Sequence, residues 1–169
     1  MRKLKLFIAM SLDGYIATED DSVAFLEAVE GLGDNGYKKF YNTVDALIMG
    51  RMTYDWIMEH VEEYPYKGKL SYVLTSRQRS DLSNVKFIQS LAEIKEIQAQ
   101  KAKDIWVVGG GALVQSLLNE NMIDDMIITI APVLLGGGIP LFKNNTGDFE
   151  LTELKRFEQF TQLHYIKRR

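Results

Sequence analysis

Apolar residues along this chain fall into short continuous runs that alternate with stretches of helical periodicity. The first run, over residues 4–10, suits a buried strand, and Asp13-Gly14 marks a turn over 11–15. Val23, Leu26 and Val29 share one side of a helix predicted over 21–29. A second helix opens at Asp34, with Tyr37, Phe40, Tyr41 and Val44 at helical spacing. Residues 46–49 form an all-apolar strand ending at Gly50, and 52–59 read as helix. Strands follow at 70–75 and 85–88, and Ile94 and Ile97 mark an amphipathic helix over 91–101. The apolar strand 105–108 runs into Gly109-Gly110-Gly111, then a helix over 112–119 and a strand over 126–132. Residues 150–156 and 160–167 alternate and predict an antiparallel hairpin.

Short apolar strands alternating with helices predict a mainly parallel sheet covered on both faces. The expected fold is therefore three-layer α/β, with a mixed sheet whose antiparallel part is the C-terminal hairpin. Ligands of such sheets bind beyond the carboxyl ends of the strands. The chain places Gly50 and the glycine triplet at two such ends.

The remaining composition narrows the function. A chain of 169 residues is expected to form one domain with a substantial core. The net charge of −3 and pI near 5.5 carry no nucleic-acid footprint. The absence of cysteine excludes disulfides, thiolate metal sites and cysteine nucleophiles. The start of the chain turns apolar, but Asp13 interrupts it before a signal-peptide core is complete, so a cytoplasmic protein is expected. His60 and His164 read as surface or hairpin residues, and no metal site is expected.

Three segments carry candidate chemistry. In the strand–glycine–helix segment over 105–114, a backbone without Cβ atoms can approach a pyrophosphate closely, and the helix start offers free N–H groups. A tight strand–helix turn is the alternative. The spacing Gly109-x-Gly111-x-x-Val114 lacks the third glycine of the Rossmann fingerprint. Arg51 and Thr53 after Gly50 offer a guanidinium and a hydroxyl to a phosphate, or else a surface arginine and a helix cap. Thr75, Ser76 and Arg77 offer a third polar strand end.

Taken together and in order, these segments resemble the dihydrofolate reductase superfamily. Leu47-Ile-Met-Gly-Arg-Met-Thr-Tyr54, Tyr72-Val-Leu-Thr-Ser-Arg77, Trp106-Val-Val-Gly-Gly-Gly111 and Ile127-Ile-Thr129 carry the resemblance. Residues 9–17 and 130–142 resemble the RibD C-terminal type of reductase domain, and more closely its small stand-alone bacterial relatives. No cysteine is present to ligate the zinc of the deaminase half of the bifunctional enzymes.

The resemblance implies an NADPH-dependent reductase of a small pteridine- or pyrimidine-like heterocycle, such as the riboflavin-pathway 5-amino-6-(5-phosphoribosylamino)uracil, in a possible homodimer. The rivals are a dinucleotide- or pterin-binding protein of the same fold without efficient turnover, and an unrelated nucleotide-binding α/β protein. By position, Gly50, Arg51 and Thr53 would cradle the pyrophosphate and adenosine side, and Thr75, Ser76 and Arg77 would face the 2′-phosphate. Val108, Gly109, Gly110, Gly111, Ala112 and Leu113 would contact the cofactor, with the Gly109–Gly110 bond cis. Ala9 and Ile16 would lie near the nicotinamide, and Thr129 beneath the substrate. Asp34 matches the carboxylate that serves the pterin in the family, as catalytic proton donor or substrate anchor, although Asp34-Asn35-Gly36 reads more readily as a helix cap. Tyr37, Tyr41, Phe25 and Trp56 are candidate substrate walls. The folate signature Trp-x-Leu-Pro is absent, and Tyr41-Asn-Thr-Val44 holds no phosphoribosyl-binding arginine.

Overall fold

The computed structural model describes residues 1–169. Ten strands and five helices follow one another in the order β1 Leu4–Ser11, β2 Tyr15–Ala17, α1 Ala24–Glu27, α2 Tyr37–Tyr41, β3 Val44–Gly50, α3 Arg51–His60, β4 Leu70–Leu74, β5 Val85–Ile88, α4 Leu91–Gln98, β6 Asp104–Gly109, α5 Gly111–Asn119, β7 Asp125–Ala131, β8 Ile139–Pro140, β9 Phe149–Phe157 and β10 Phe160–Lys167. Eight of the strands form one sheet in the order β5-β4-β3-β6-β1-β7-β10-β9. All pairings from β5 to β7 are parallel, and β10 joins antiparallel to both β7 and β9. The mainly parallel sheet with a terminal antiparallel hairpin thus follows the sequence pattern.

The helices divide between the two faces because alternate strand residues are apolar in both directions. On one face Leu4, Leu6, Ile48, Ile105 and Val107 pack beneath α4 and α5, which contribute Ile94, Ile97, Leu113, Val114 and Leu117. On the other face α3 buries Tyr54 and Ile57 against Met49 and Val73. There α2 buries Phe40 against Val44, Leu47 and Trp106. No helix is long and apolar enough to cross a membrane.

One expectation fails here. The helix over 21–29 shrinks to the four residues of α1, none of them buried. Asp21 takes a φ of 63°, and the Thr18 hydroxyl accepts the Ser22 N–H, so local turn bonds displace the first helical turn. The turn over 11–15 forms, with the Gly14 N–H donating to the Ser11 carbonyl at 3.0 Å, and just beyond it β2 pairs with β8 in a second, two-stranded sheet. The Asp13 carboxylate ties them together by accepting the N–H groups of Leu135 and Gly136 at 3.1 and 2.8 Å. Its pKa is lowered, first by the Ser11 hydroxyl and then by these two bonds.

Ile48 lies fully buried at the centre of the sheet. The substitution Ile48→Ala is expected to destabilise the fold by roughly 2–5 kcal/mol, measured as a lower urea midpoint at an unchanged denaturant slope.

Candidate functional site

Two strand ends meet at the middle of the carboxyl edge. β3 and β6 are parallel neighbours, with Met49 beside Gly109. A Cβ on Gly50 would lie 3.9 Å from the Gly110 nitrogen and 4.0 Å from the Gly109 carbonyl oxygen. A Cβ on Gly110 would lie 3.3 Å from the Thr53 hydroxyl oxygen. The Gly109–Gly110 peptide bond is cis, and Gly109 holds a φ of 132° that side chains disfavour.

Helices α3 and α5 start directly from Gly50 and Gly110, and no side chain caps either one. Thr53 stands inside α3 rather than at its cap. Two sets of unpaired helix N–H groups therefore open on one glycine-lined groove. Such groups, with the helix dipoles behind them, suit phosphate oxygens. The residues fit a dinucleotide pyrophosphate there. Leu113 is buried behind the groove, Ala112 is exposed, and Val108 is half-buried against both smaller cores. A Cβ on Gly111 would come within 2.7 Å of the Pro140 carbonyl oxygen, so β8 lies directly on the start of α5. Ile16, on β2, packs against the main core.

One strand further out, Thr75 follows β4 and is buried, and its hydroxyl accepts the Arg77 N–H at 3.2 Å. Ser76 and Arg77 are exposed. Arg77 borders a polar cleft of about 320 Å³ together with Arg79 and Phe87. Arg79 has no role from its sequence position, although it stands only two residues beyond Arg77. Its guanidinium lies 5.5 Å from the Phe87 ring centre and donates to Asp55 at 3.1 and 3.4 Å. Arg51 donates to the same carboxylate at 3.0 Å. Asp55 thereby holds two cations at the edge of the groove. Its carboxyl sits below the usual carboxylate range, chiefly through the Arg79 hydrogen bond.

A cavity of about 440 Å³ opens on the α2 face of β1 and β7. Ala9 and Thr129 are cross-strand partners on its floor. Phe7, Leu26, Val29 and Phe160 supply apolar walls, and Glu27, Asp34 and Asn35 supply polar ones. No lysine or arginine lines it. Asp34 is at once cavity wall and cap, because its carboxylate accepts the N–H groups of Gly36 and Lys38 at 3.0 and 2.9 Å. Its pKa is lowered, first by the Lys38 bond.

The other proposed walls lie elsewhere. Tyr37 and Tyr41 stack with each other and pack edge-on to Trp106. Trp56 stacks on His60 at the outer side of α3, and Phe25 does not reach the cavity. Burial pushes the Tyr37 hydroxyl up to about 12, so it stays protonated. Behind the floor, Gln162 is buried and donates to the Thr129 hydroxyl oxygen at 3.0 Å. Its signal in the sequence is a polar residue on the inward phase of the alternating strand over 160–167.

Because the folded Asp55 carboxyl is more acidic than an unfolded one, its ion pairs add stability above the unfolded pKa. That stability disappears as pH falls through the folded value. Thermal melts are expected to show Asp55→Asn less stable than wild type at neutral pH, with the gap closing below about pH 4.

Residues 2–163 match the RibD C-terminal domain. The uncharacterized protein YwjB of Bacillus subtilis is 43% identical, over 98% of each chain. The dihydrofolate reductase of Mycoplasma genitalium is 30% identical, over 73% of this chain and 75% of its own. The crystal structure of a protein named for riboflavin biosynthesis, from Shewanella sp. PV-4, superposes with a TM-score of 0.88 at 31% identity, covering both chains fully. The chain belongs to the RibD C-terminal domain family, within the dihydrofolate reductase-like fold.

Proposed function

We propose that this protein is an NADPH-dependent reductase that transfers hydride to the C=N or C=O group of a small, unphosphorylated, pterin-like heterocycle. The observation that carries the reading is that two uncapped helix starts lined by glycine lie beside the cavity over β1 and β7, where Ile8 of the cavity wall would be 3.7 Å from a Cβ on Gly109. Gly50, Thr53 and Gly109 to Leu113 would hold the pyrophosphate, and Arg51, Thr75, Ser76 and Arg77 the adenosine side with its 2′-phosphate. NADPH supplies the hydride. Ala9 and Thr129 form the floor against which the acceptor ring lies.

The cavity favours an uncharged or cationic ring. Glu27 and Asp34 line it without a compensating lysine or arginine. A phosphorylated substrate would bring like charge beside these two exposed carboxylates with no cation in the lining to offset it. Asp34 acts as an anchor for ring N–H groups, since an ionised carboxylate held by two backbone donors is a poor proton source at neutral pH. The proton for the acceptor atom enters from solvent through the cavity mouth.

The same engagement of Asp34 favours a second reading, a binding protein of this fold that holds the dinucleotide or a pterin without efficient turnover. Nicotinamide absorbance separates the two. With NADPH and 7,8-dihydropterin, steady oxidation is expected, and little with the phosphoribosylaminouracil of riboflavin synthesis. Binding of both ligands without oxidation selects the second reading. No binding of NADPH or NADH at high micromolar concentration removes both. Titrating nicotinamide fluorescence, we expect Arg77→Ala to weaken NADPH by about tenfold and to leave NADH nearly unchanged.

A further inference from the structure

Ala9, Thr129 and Gln162 form one cross-strand row over β1, β7 and β10. Thr129 is 5% exposed and Gln162 7%, so both side chains are well shielded from bulk water. The Gln162 amide nitrogen lies 3.0 Å from the Asn35 carbonyl oxygen and 3.0 Å from the Thr129 hydroxyl oxygen.

These two distances decide the polarity of the row. A backbone carbonyl can only accept, so the nitrogen of the Gln162 amide, not its oxygen, faces Asn35. An amide nitrogen has two hydrogens, and its second one points at Thr129. That nitrogen has no lone pair to offer in return. The Thr129 oxygen therefore accepts from Gln162, and its own hydrogen must go elsewhere. No acceptor of the chain takes it, and Thr129 lines the cavity.

We propose that Gln162 is a positioning residue that fixes the Thr129 hydroxyl as a hydrogen-bond donor into the cavity, so that the substrate presents a carbonyl oxygen or an unprotonated ring nitrogen there. The inference rests on the reading of this cavity as the substrate site. It also completes the substrate's polarity. Glu27 and Asp34 on the loop side are acceptors and call for N–H groups, whereas the floor is a donor and calls for an acceptor. A planar ring with an amide or amidine edge meets both demands along one edge. The second Gln162 bond reaches Asn35, next to Asp34, so the same amide also ties the acceptor loop to the donor floor.

The test uses Gln162→Glu, Gln162→Met and Thr129→Val, with pterin fluorescence as the binding probe and nicotinamide fluorescence as the control. The carboxylate that Gln162→Glu introduces would accept from Thr129 and turn its hydrogen away from the cavity. Pterin affinity is expected to fall by about tenfold in Gln162→Glu and in Thr129→Val, with NADPH affinity unchanged. The double variant Thr129→Val/Gln162→Glu is expected to be no worse than the weaker single one, because both remove the same donor. Thr129→Ser, which keeps the hydroxyl, rescues the loss. Gln162→Met removes the amide without adding charge and separates polarity from electrostatics. Pterin affinity within about twofold of wild type in Gln162→Glu, or losses that multiply in the double variant, overturns the proposal.

A second measurement does not depend on the ligand. In NMR spectra the two Gln162 amide hydrogens should both be protected, and Thr129→Val should release one while the other stays bonded to Asn35. If neither responds, Gln162 does not set Thr129. If wild type binds NADPH but not pterin, the substrate class proposed above is wrong, and the amide hydrogens still decide the polarity of the row.

Discussion

Parallel pairing of β6 between β3 and β1 is the constraint on which the rest of the structure depends. The chain leaves β1, runs outward through β3, β4 and β5, and returns to insert β6 into the gap. Because the neighbours are parallel, their carboxyl ends fall on one edge, and the connections start side by side. Gly50 and Gly110 then approach so closely that their backbones meet with only about one Cβ of clearance. A side chain at Gly110 would crowd the Thr53 hydroxyl, and one longer than a methyl at Gly50 would reach the Gly109–Gly110 backbone.

The same insertion separates two electrostatic environments. Outward from β6 lie two uncapped helix starts and three guanidinium groups, Arg51, Arg77 and Arg79. Two of these are held by Asp55, and Asp81 and Glu93 line the same cleft as Arg77 and Arg79. Inward, over β1 and β7, the cavity is apolar with carboxylates and no cation. The small β2–β8 sheet closes the groove from the α5 side, held by Asp13 and by the contact of Pro140 with Gly111.

Much of the fold is legible because strand and helix periods are local. Apolar runs such as 46–49 and 105–108 can be buried only in a sheet covered on both faces, and the alternation over 160–167 announces the hairpin. The helix over 21–29 misleads because its apolar spacing is real, yet α1 buries nothing and Thr18 and Asp21 stabilise a turn in its place. The sheet β2–β8 is not legible at all. Its strands are three and two residues long, are separated by more than a hundred positions, and carry no period to detect.

At the site, residue types and spacing by themselves determined the strand ends. Glycines at 50 and 109–111, hydroxyls at 53 and 75, and arginines at 51 and 77 each follow an apolar run, and a local run and its terminator are contiguous in sequence. Only the tertiary structure decided what each polar group does with its hydrogens. Asp34 caps α2 and faces the cavity at once, Asp55 gathers Arg51 with Arg79, and Gln162 sets the direction of Thr129. These roles rest on bonds between residues far apart in the chain. A hydrogen bond's direction depends on which groups the fold brings within about 3 Å of each other, and no local period encodes that distance.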